Sequence, residues 1–161
     1  MDSEDDQKAA GDLFRKAYER QMKGEFEEAL KLYSESIDLY PTAEAYTFRG
    51  WTFSFMGMLD EAIEDCHRAI AVDPDFGNPY NDIGAYLIEK GQLDEAIFWL
   101  EKATEAKRYE CPAFPHLNLG RVYEKKLDWE KAIECYQRAL KINPQYDVAR
   151  RAFNRLRAMI N

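Results

Sequence analysis

Four times along the chain a small residue returns at nearly the same interval: Ala17, Gly50, Gly84 and Gly120 are separated by 33, 34 and 36 positions. Ala29, Ala62, Ala96 and Ala132 keep those intervals, and so do Ser36, Ala69, Ala103 and Ala139. A period in this range means stacked supersecondary units, none of which can bury its apolar face alone. A chain of 161 residues would otherwise suggest one compact domain. The repeat replaces that expectation with a short all-α solenoid in which each unit touches only its neighbours.

Each unit reads as two amphipathic helices joined by a tight turn. In unit two the first helix carries Ala45, Tyr46, Phe48, Gly50, Trp51 and Phe53 and stops at Met56-Gly57, where glycine supplies a left-handed residue. Asp60 is expected to cap the second helix, which ends at Asp73-Pro74 because proline cannot continue it. Unit one stops at Lys23-Gly24 and Tyr40-Pro41, and unit three turns at Lys90-Gly91. In unit four Leu127 stands in place of the turn glycine, with Asp128 as cap. The small residues are expected to let the two backbones of a pair approach closely at their crossing. The reading divides the chain into a structureless acidic tail over 1–7, four units at about 10–42, 43–76, 77–112 and 113–146, and a capping helix over 147–161. That last helix places Val148, Ala152, Phe153, Leu156 and Ile160 on its apolar side and arginines on the other.

The pattern resembles the tetratricopeptide repeat, from about Ala10 to the end. Unit four has Leu119-Gly120, Tyr123, Ala132, Tyr136, Ala139 and Pro144 at the family's spacing. Unit three has Tyr80, Ile83-Gly84, Leu87, Ala96, Leu100 and Ala103, with Arg108 where the proline belongs. Unit two has Tyr46, Arg49-Gly50, Phe53, Ala62, Cys66, Ala69 and Pro74, and unit one, the most divergent, keeps Ala29, Tyr33 and Pro41. The resemblance implies a right-handed superhelix of four helix pairs plus the capping helix, with a concave groove lined by the first helix of each pair. In the carboxylate-clamp subset of the family, lysines, asparagines and an arginine in that groove grip acidic chaperone tails. Here those positions hold Phe14, Tyr18, Phe48, Asn78 and Asp82, so the clamp is absent and Asp82 would repel a carboxylate.

The same alignment places Phe14, Arg15, Tyr18, Gln21 and Met22 of unit one in the groove, followed by Thr47, Phe48, Trp51, Ser54 and Phe55 of unit two. Unit three contributes Asn81, Asp82, Ala85, Ile88 and Glu89, and unit four Leu117, Asn118, Arg121 and Lys125, with Arg151 and Arg155 behind. Aromatic residues at helical spacing are commonly core. Yet Phe14, Tyr18, Phe48, Trp51 and Phe55 exceed what the repeat pattern needs for packing, and an apolar surface of that size marks a binding site. The groove is thus expected to be aromatic at its N-terminal half and polar to basic beyond, holding an apolar or aromatic-anchored peptide or helix.

Charge narrows the partner class. The chain carries −8, and six basic residues from Arg138 onward face Asp147 alone, which leaves −13 on the first 135 residues. Phosphate binding needs a basic face, so nucleic acid is not an expected partner. No apolar run is long enough for a membrane span, the acidic N-terminus is unlike a secretory signal, and three scattered cysteines fit a reducing compartment, so a cytoplasmic location is expected. Catalytic patterns are thin. Cys66 and His67 point about 100° apart on a helix, and Cys111 and His116 sit on a proline-broken loop that contains the two-residue insertion. No metal, cofactor or nucleophile arrangement emerges. The sequence therefore predicts a non-catalytic adaptor or scaffold, monomeric, whose alternative is a structural subunit that self-associates through the groove or the last helix.

Overall fold

The computed structural model describes residues 3–161. Nine helices follow in order among the described residues: α1 (Ser3–Met22), α2 (Phe26–Leu39), α3 (Ala43–Phe55), α4 (Leu59–Val72), α5 (Asn78–Glu89), α6 (Leu93–Thr104), α7 (Ala113–Lys125), α8 (Trp129–Ile142) and α9 (Asp147–Ile160). Each odd helix packs antiparallel on the even one after it, and each pair docks on the next through α2–α3, α4–α5, α6–α7 and α8–α9. Direct contacts also join α1 to α3, α3 to α5 and α5 to α7. No comparable contact links the outer helices to one another among the described residues. Closer spacing on the inner row curves the stack toward α1, α3, α5 and α7, which form its concave side.

The chain departs from the expected tail at its start. Helix α1 begins at Ser3, so Ser3–Gln7 is helical, while Met1 and Asp2 lie outside the described residues. Glu4, Asp5 and Asp6 occupy the first turn, where negative charge complements the helix dipole. The extension is anchored where the Ser36 hydroxyl donates to the Ala10 carbonyl at 2.8 Å, with Ala10 buried.

The small residues act differently from the expected mutual approach of two backbones. A Cβ on Gly84 would lie 2.4 Å from Leu100, and one on Gly120 would lie 2.3 Å from the Tyr136 ring. In these units the glycine is a hole filled by a large side chain of the partner helix. Unit two has the smaller Cys66 at the corresponding place, and there the nearest atom is backbone, with Ala62 O 2.9 Å from a Cβ on Gly50. The filled holes join a central core built from Ile83, Leu87, Ala96, Leu100, Leu119 and Val122.

Gly24, Gly57 and Gly91 all adopt φ near +76° (77°, 75° and 76°), and Leu127 is forced to 61° at the fourth turn. Asp128 caps α8 by accepting from the Lys131 amide at 3.2 Å. Asp60 does not cap α4, since the helix starts one residue before it and Met58 holds the cap position. Its carboxylate instead pairs with Lys90 of the next unit, and Asp94 pairs with Lys126 in the same way. A deeper tie joins units one and two. Arg49 donates through Nε and NH2 to both oxygens of the fully buried Asp65 at 2.7 Å and through NH1 to Ser34 at 3.1 Å.

The capping helix uses the middle of its expected apolar side, Ala152, Phe153 and Leu156, and adds Ala149. Ala149, Ala152, Phe153 and Leu156 pack on α8, at spacings of 3, 1 and 3 that trace one helical stripe. Val148 precedes that stripe and Ile160 lies beyond the last turn it covers, so both stay exposed.

Candidate functional site

The concave side of α1 and α3 carries a continuous run of aromatic rings. Tyr33 meets Phe14 edge-on at 5.6 Å, Phe14 meets Phe48 at 5.2 Å, Phe48 meets Trp51 at 5.8 Å, and Trp51 meets Phe55 at 5.1 Å. Tyr18 packs on Phe48 from the side at 5.8 Å. Spacings of three and four along α3 put Phe48, Trp51 and Phe55 on one stripe, and edge-to-face contact fixes the rings against each other. All five expected aromatics therefore come together, but they divide by depth. Phe14 and Phe48 are half-buried against Ala17, Ala29 and Tyr33 and belong partly to the core of unit one. Tyr18, Met22 and Phe55 are 41%, 49% and 51% exposed. Phe26, which the repeat pattern gave no reason to notice, stacks flat on Phe55 at 5.5 Å.

Several other positions expected in the groove are buried. Gln21 accepts from the Tyr33 hydroxyl at 2.7 Å, Thr47 donates back to the Ala43 carbonyl at 2.7 Å, and Leu117 lies in the core of unit four. Gln21 faces α2 and Leu117 packs with Ala132 and Tyr136 of α8, so both point into their own helix pair, while Thr47 bonds back to its own helix. Arg15 turns to Asp12 of its own helix.

Beside Phe48 and Trp51 opens a cleft of about 280 Å³ that also contacts Asn78, Asn81, Asp82, Tyr109 and Phe114. Tyr109 comes from the connection between α6 and α7. That segment folds back on the end of unit two: the Arg108 amide donates to Asp75 O and the Gly77 amide donates to Arg108 O, both at 2.9 Å. The Arg108 side chain lies over the Phe76 ring at 4.2 Å, pairs with Asp73 at 2.8 Å and reaches Glu44 at 2.9 Å. Gly77 is required here, because a Cβ would fall 2.7 Å from Tyr109 Cγ. Arg108, the departure from the repeat pattern in unit three, is thus the clasp that delivers Tyr109 to the concave side.

Asp82 is the acidic residue of this cleft, and no ion pair reaches its carboxylate among the described residues. Desolvation pushes its carboxyl up to about 7, only partly offset by hydrogen bonding to Asn81. Asn81 is itself engaged by the Asn118 amide at 3.0 Å, and Asn118 accepts from Arg121 at 3.2 Å. Asn118 is therefore buried between α5 and α7 rather than open to the groove, with Arg121 exposed beside it. Further along, Arg155 donates to Glu124 at 2.7 Å, while Arg151 is exposed.

Cys66 and Cys135 are buried with thiols pushed up by desolvation, Cys111 is exposed, and all three are free. Among the described residues no group of three or more His, Cys, Asp or Glu could hold a metal ion, and no helix is long and apolar enough to cross a membrane.

Family models described as tetratricopeptide repeat match residues 43–76 and 113–146 and, for a second model, 78–109, together more than half of the chain. Anaphase-promoting complex subunit 3 of Schizosaccharomyces pombe is 29% identical over 127 residues, covering 78% of this chain and 19% of that protein. The small glutamine-rich tetratricopeptide repeat-containing protein 2 of Mycosarcoma maydis is 35% identical over 78 residues, covering 48% of this chain and 22% of that protein. The chain thus spans about a fifth of the length of these relatives. Among solved structures, the pilF protein of Pseudomonas aeruginosa superposes with a TM-score of 0.87 at 20% identity, covering 94% of this chain and 68% of that one, a likeness of fold.

Proposed function

Because this chain belongs to the tetratricopeptide-repeat family, a family of protein-interaction modules, we propose that it is a non-catalytic adaptor that takes an apolar or aromatic-anchored segment of a partner protein along α1 and α3. The observation that carries this reading is the unbroken ring sequence from Phe14 to Phe55, open at Tyr18, Met22 and Phe55. A contiguous apolar surface of this kind costs solubility unless a partner covers it, and large rigid aromatics are the side chains that dominate binding energy. Asp82, Arg121, Arg151 and Arg155 would continue the surface as its polar half and set the orientation of the bound segment, with the buried Asn118 holding Asn81 and Arg121 in place beneath them. One relative is by name a subunit of a multiprotein complex, a role of the same class.

The test is selection of peptides from a displayed random library on the wild-type chain, followed by affinity measurement against Trp51→Ala/Phe55→Ala. Phe48 is left intact because it packs into the core of unit one. Selected peptides rich in aromatic and aliphatic residues whose affinity falls by roughly a hundredfold, a hot-spot loss, support the reading. Peptides that bind both proteins equally would remove it.

Self-association through α9 is a second reading, favoured by the exposure of Val148, Met159 and Ile160 on that helix. Sedimentation velocity over a concentration series separates the two, since an adaptor of this kind sediments as a monomer.

A further inference from the structure

The Asp82 carboxylate is a cost that the fold itself does not explain. It stands fifth in α5, past the first turn in which the helix dipole would favour an anion. No lysine, arginine or histidine lines its cleft. The arginines of neighbouring segments are engaged elsewhere, Arg49 by Asp65, Arg108 by Asp73 and Glu44, and Arg121 by Asn118. A half-buried carboxylate without a cation is unfavourable, and a well-packed fold would do better with a neutral residue there. The walls around it are aromatic on both sides, Phe48 and Trp51 from α3, and Tyr109 and Phe114 from the far side. Electron-rich ring faces attract a cation, and most strongly where water is excluded.

We propose that this cleft is a receptor for an arginine side chain of the partner segment, with the guanidinium held between the aromatic walls and ion-paired to Asp82. The inference rests on the groove reading above and deepens it by naming the residue that the partner presents. Arginine fits better than lysine because its flat, weakly hydrated guanidinium stacks on rings and offers a two-pronged donor face to a carboxylate. Asn78 lines the same cleft, and its side-chain amide would offer an acceptor for the remaining N–H groups. The overall charge of −8 draws a basic segment toward the chain before it docks. The backward fold of the Arg108 segment then has a purpose, since without it Tyr109 would not close the cleft.

The probe is N-acetyl-arginine amide, with the neutral isostere N-acetyl-citrulline amide as its control, titrated into the nitrogen-15-labelled chain. The Trp51 indole and the backbone amides of Asn81 and Asp82 report binding. Saturable shifts at these positions are expected for the arginine compound, with roughly tenfold weaker binding of the citrulline compound. Asp82→Asn, which keeps shape and removes charge, should erase that difference, and Trp51→Ala should weaken both. Equal binding of the two compounds, no shift from either, or an arginine preference that survives in Asp82→Asn overturns the inference. If display-selected peptides depend on Trp51 and Phe55 but carry no arginine, and the arginine compound does not bind, the cation site falls while the groove stands. If the arginine compound binds as described while no peptide depends on those two aromatics, the groove reading falls and the cation site remains.

Discussion

Replacing Asp82 with asparagine should make this protein more stable, by an amount that is absent in acid, grows above about pH 4 and is complete above about pH 7. In the folded chain the carboxyl titrates at about 7, raised by desolvation from an ordinary value of 3.8. Between these two values the folded state holds a proton that the unfolded chain has released, so stability falls as pH rises through the window. The penalty is absent below about pH 4 and complete above about pH 7. Converted at 1.36 kcal/mol per pH unit, the interval corresponds to roughly 4 kcal/mol as a ceiling. Asp82 keeps part of its surface open to the cleft, and water and local relaxation reduce the penalty, so about 1–3 kcal/mol is expected. The thiol and phenols that feel the Asp82 charge, Cys66 on α4, Tyr86 on α5 and Tyr109 on the α6–α7 connection, are all pushed well upward and stay neutral across the window. The assay is urea unfolding followed by circular dichroism on both proteins from acid to mildly alkaline pH. The midpoint difference between variant and wild type cancels the titration of every other group. It should be near zero at the acid end, grow through the window and level off, reaching about 2–10 °C if read as a melting shift. A difference that does not change with pH, or an asparagine variant that is less stable under alkaline conditions, would refute the argument that the carboxylate is held at a cost.

Further outcomes follow from the packing. Leu127→Gly relieves a left-handed leucine that is 70% exposed, and its melting midpoint should rise by the equivalent of about 0.5–1 kcal/mol once the added freedom of the unfolded chain is deducted. Gly120→Ala drives a Cβ into the Tyr136 ring and should lower stability by about 1–3 kcal/mol, whereas Gly11→Ala meets nothing within 4 Å and should raise it by about 0.5–1 kcal/mol. Arg49→Met leaves the buried Asp65 with Arg68 alone and should cost roughly 3 kcal/mol in urea unfolding, while the double variant with Asp65→Leu recovers most of the loss. Ala62→Leu, at a fully buried helix crossing, should cost about 1–3 kcal/mol in a thermal melt.

The architecture was legible because a period is a global signal. Glycine or alanine, alanine and a large residue recurring in register leave no other way to bury the apolar faces. Details that depend on one residue's neighbours were less so. Asp60 has the composition of a cap, but the helix begins at Leu59 and the carboxylate crosses to Lys90. The spacing along α3 was enough to place Phe48, Trp51 and Phe55 on one stripe. It could not say that Phe48 would sink against Tyr33 while Phe55 stayed open, because that depends on how closely α1 approaches α3. Tyr109 lies in the irregular segment where the repeat breaks and Phe114 at the start of α7 just after it, where the insertion shifts the period, so periodicity places neither. The available signal was Arg108 in place of a proline, together with Gly77 at the start of α5. The Arg49–Asp65 pair could have been suspected from an arginine beside the packing glycine, 16 positions from an acid on the partner helix.

The central claim is that the concave side of α1, α3 and α5 is the surface a partner occupies. Hydrogen–deuterium exchange of the chain, alone and saturated with a display-selected peptide, addresses it most directly. Slowed exchange confined to α1, α3, α5 and the α6–α7 connection around Tyr109 is the predicted result. Protection on α9 or on the outer helices α4 and α6, with α3 unchanged, would contradict the account.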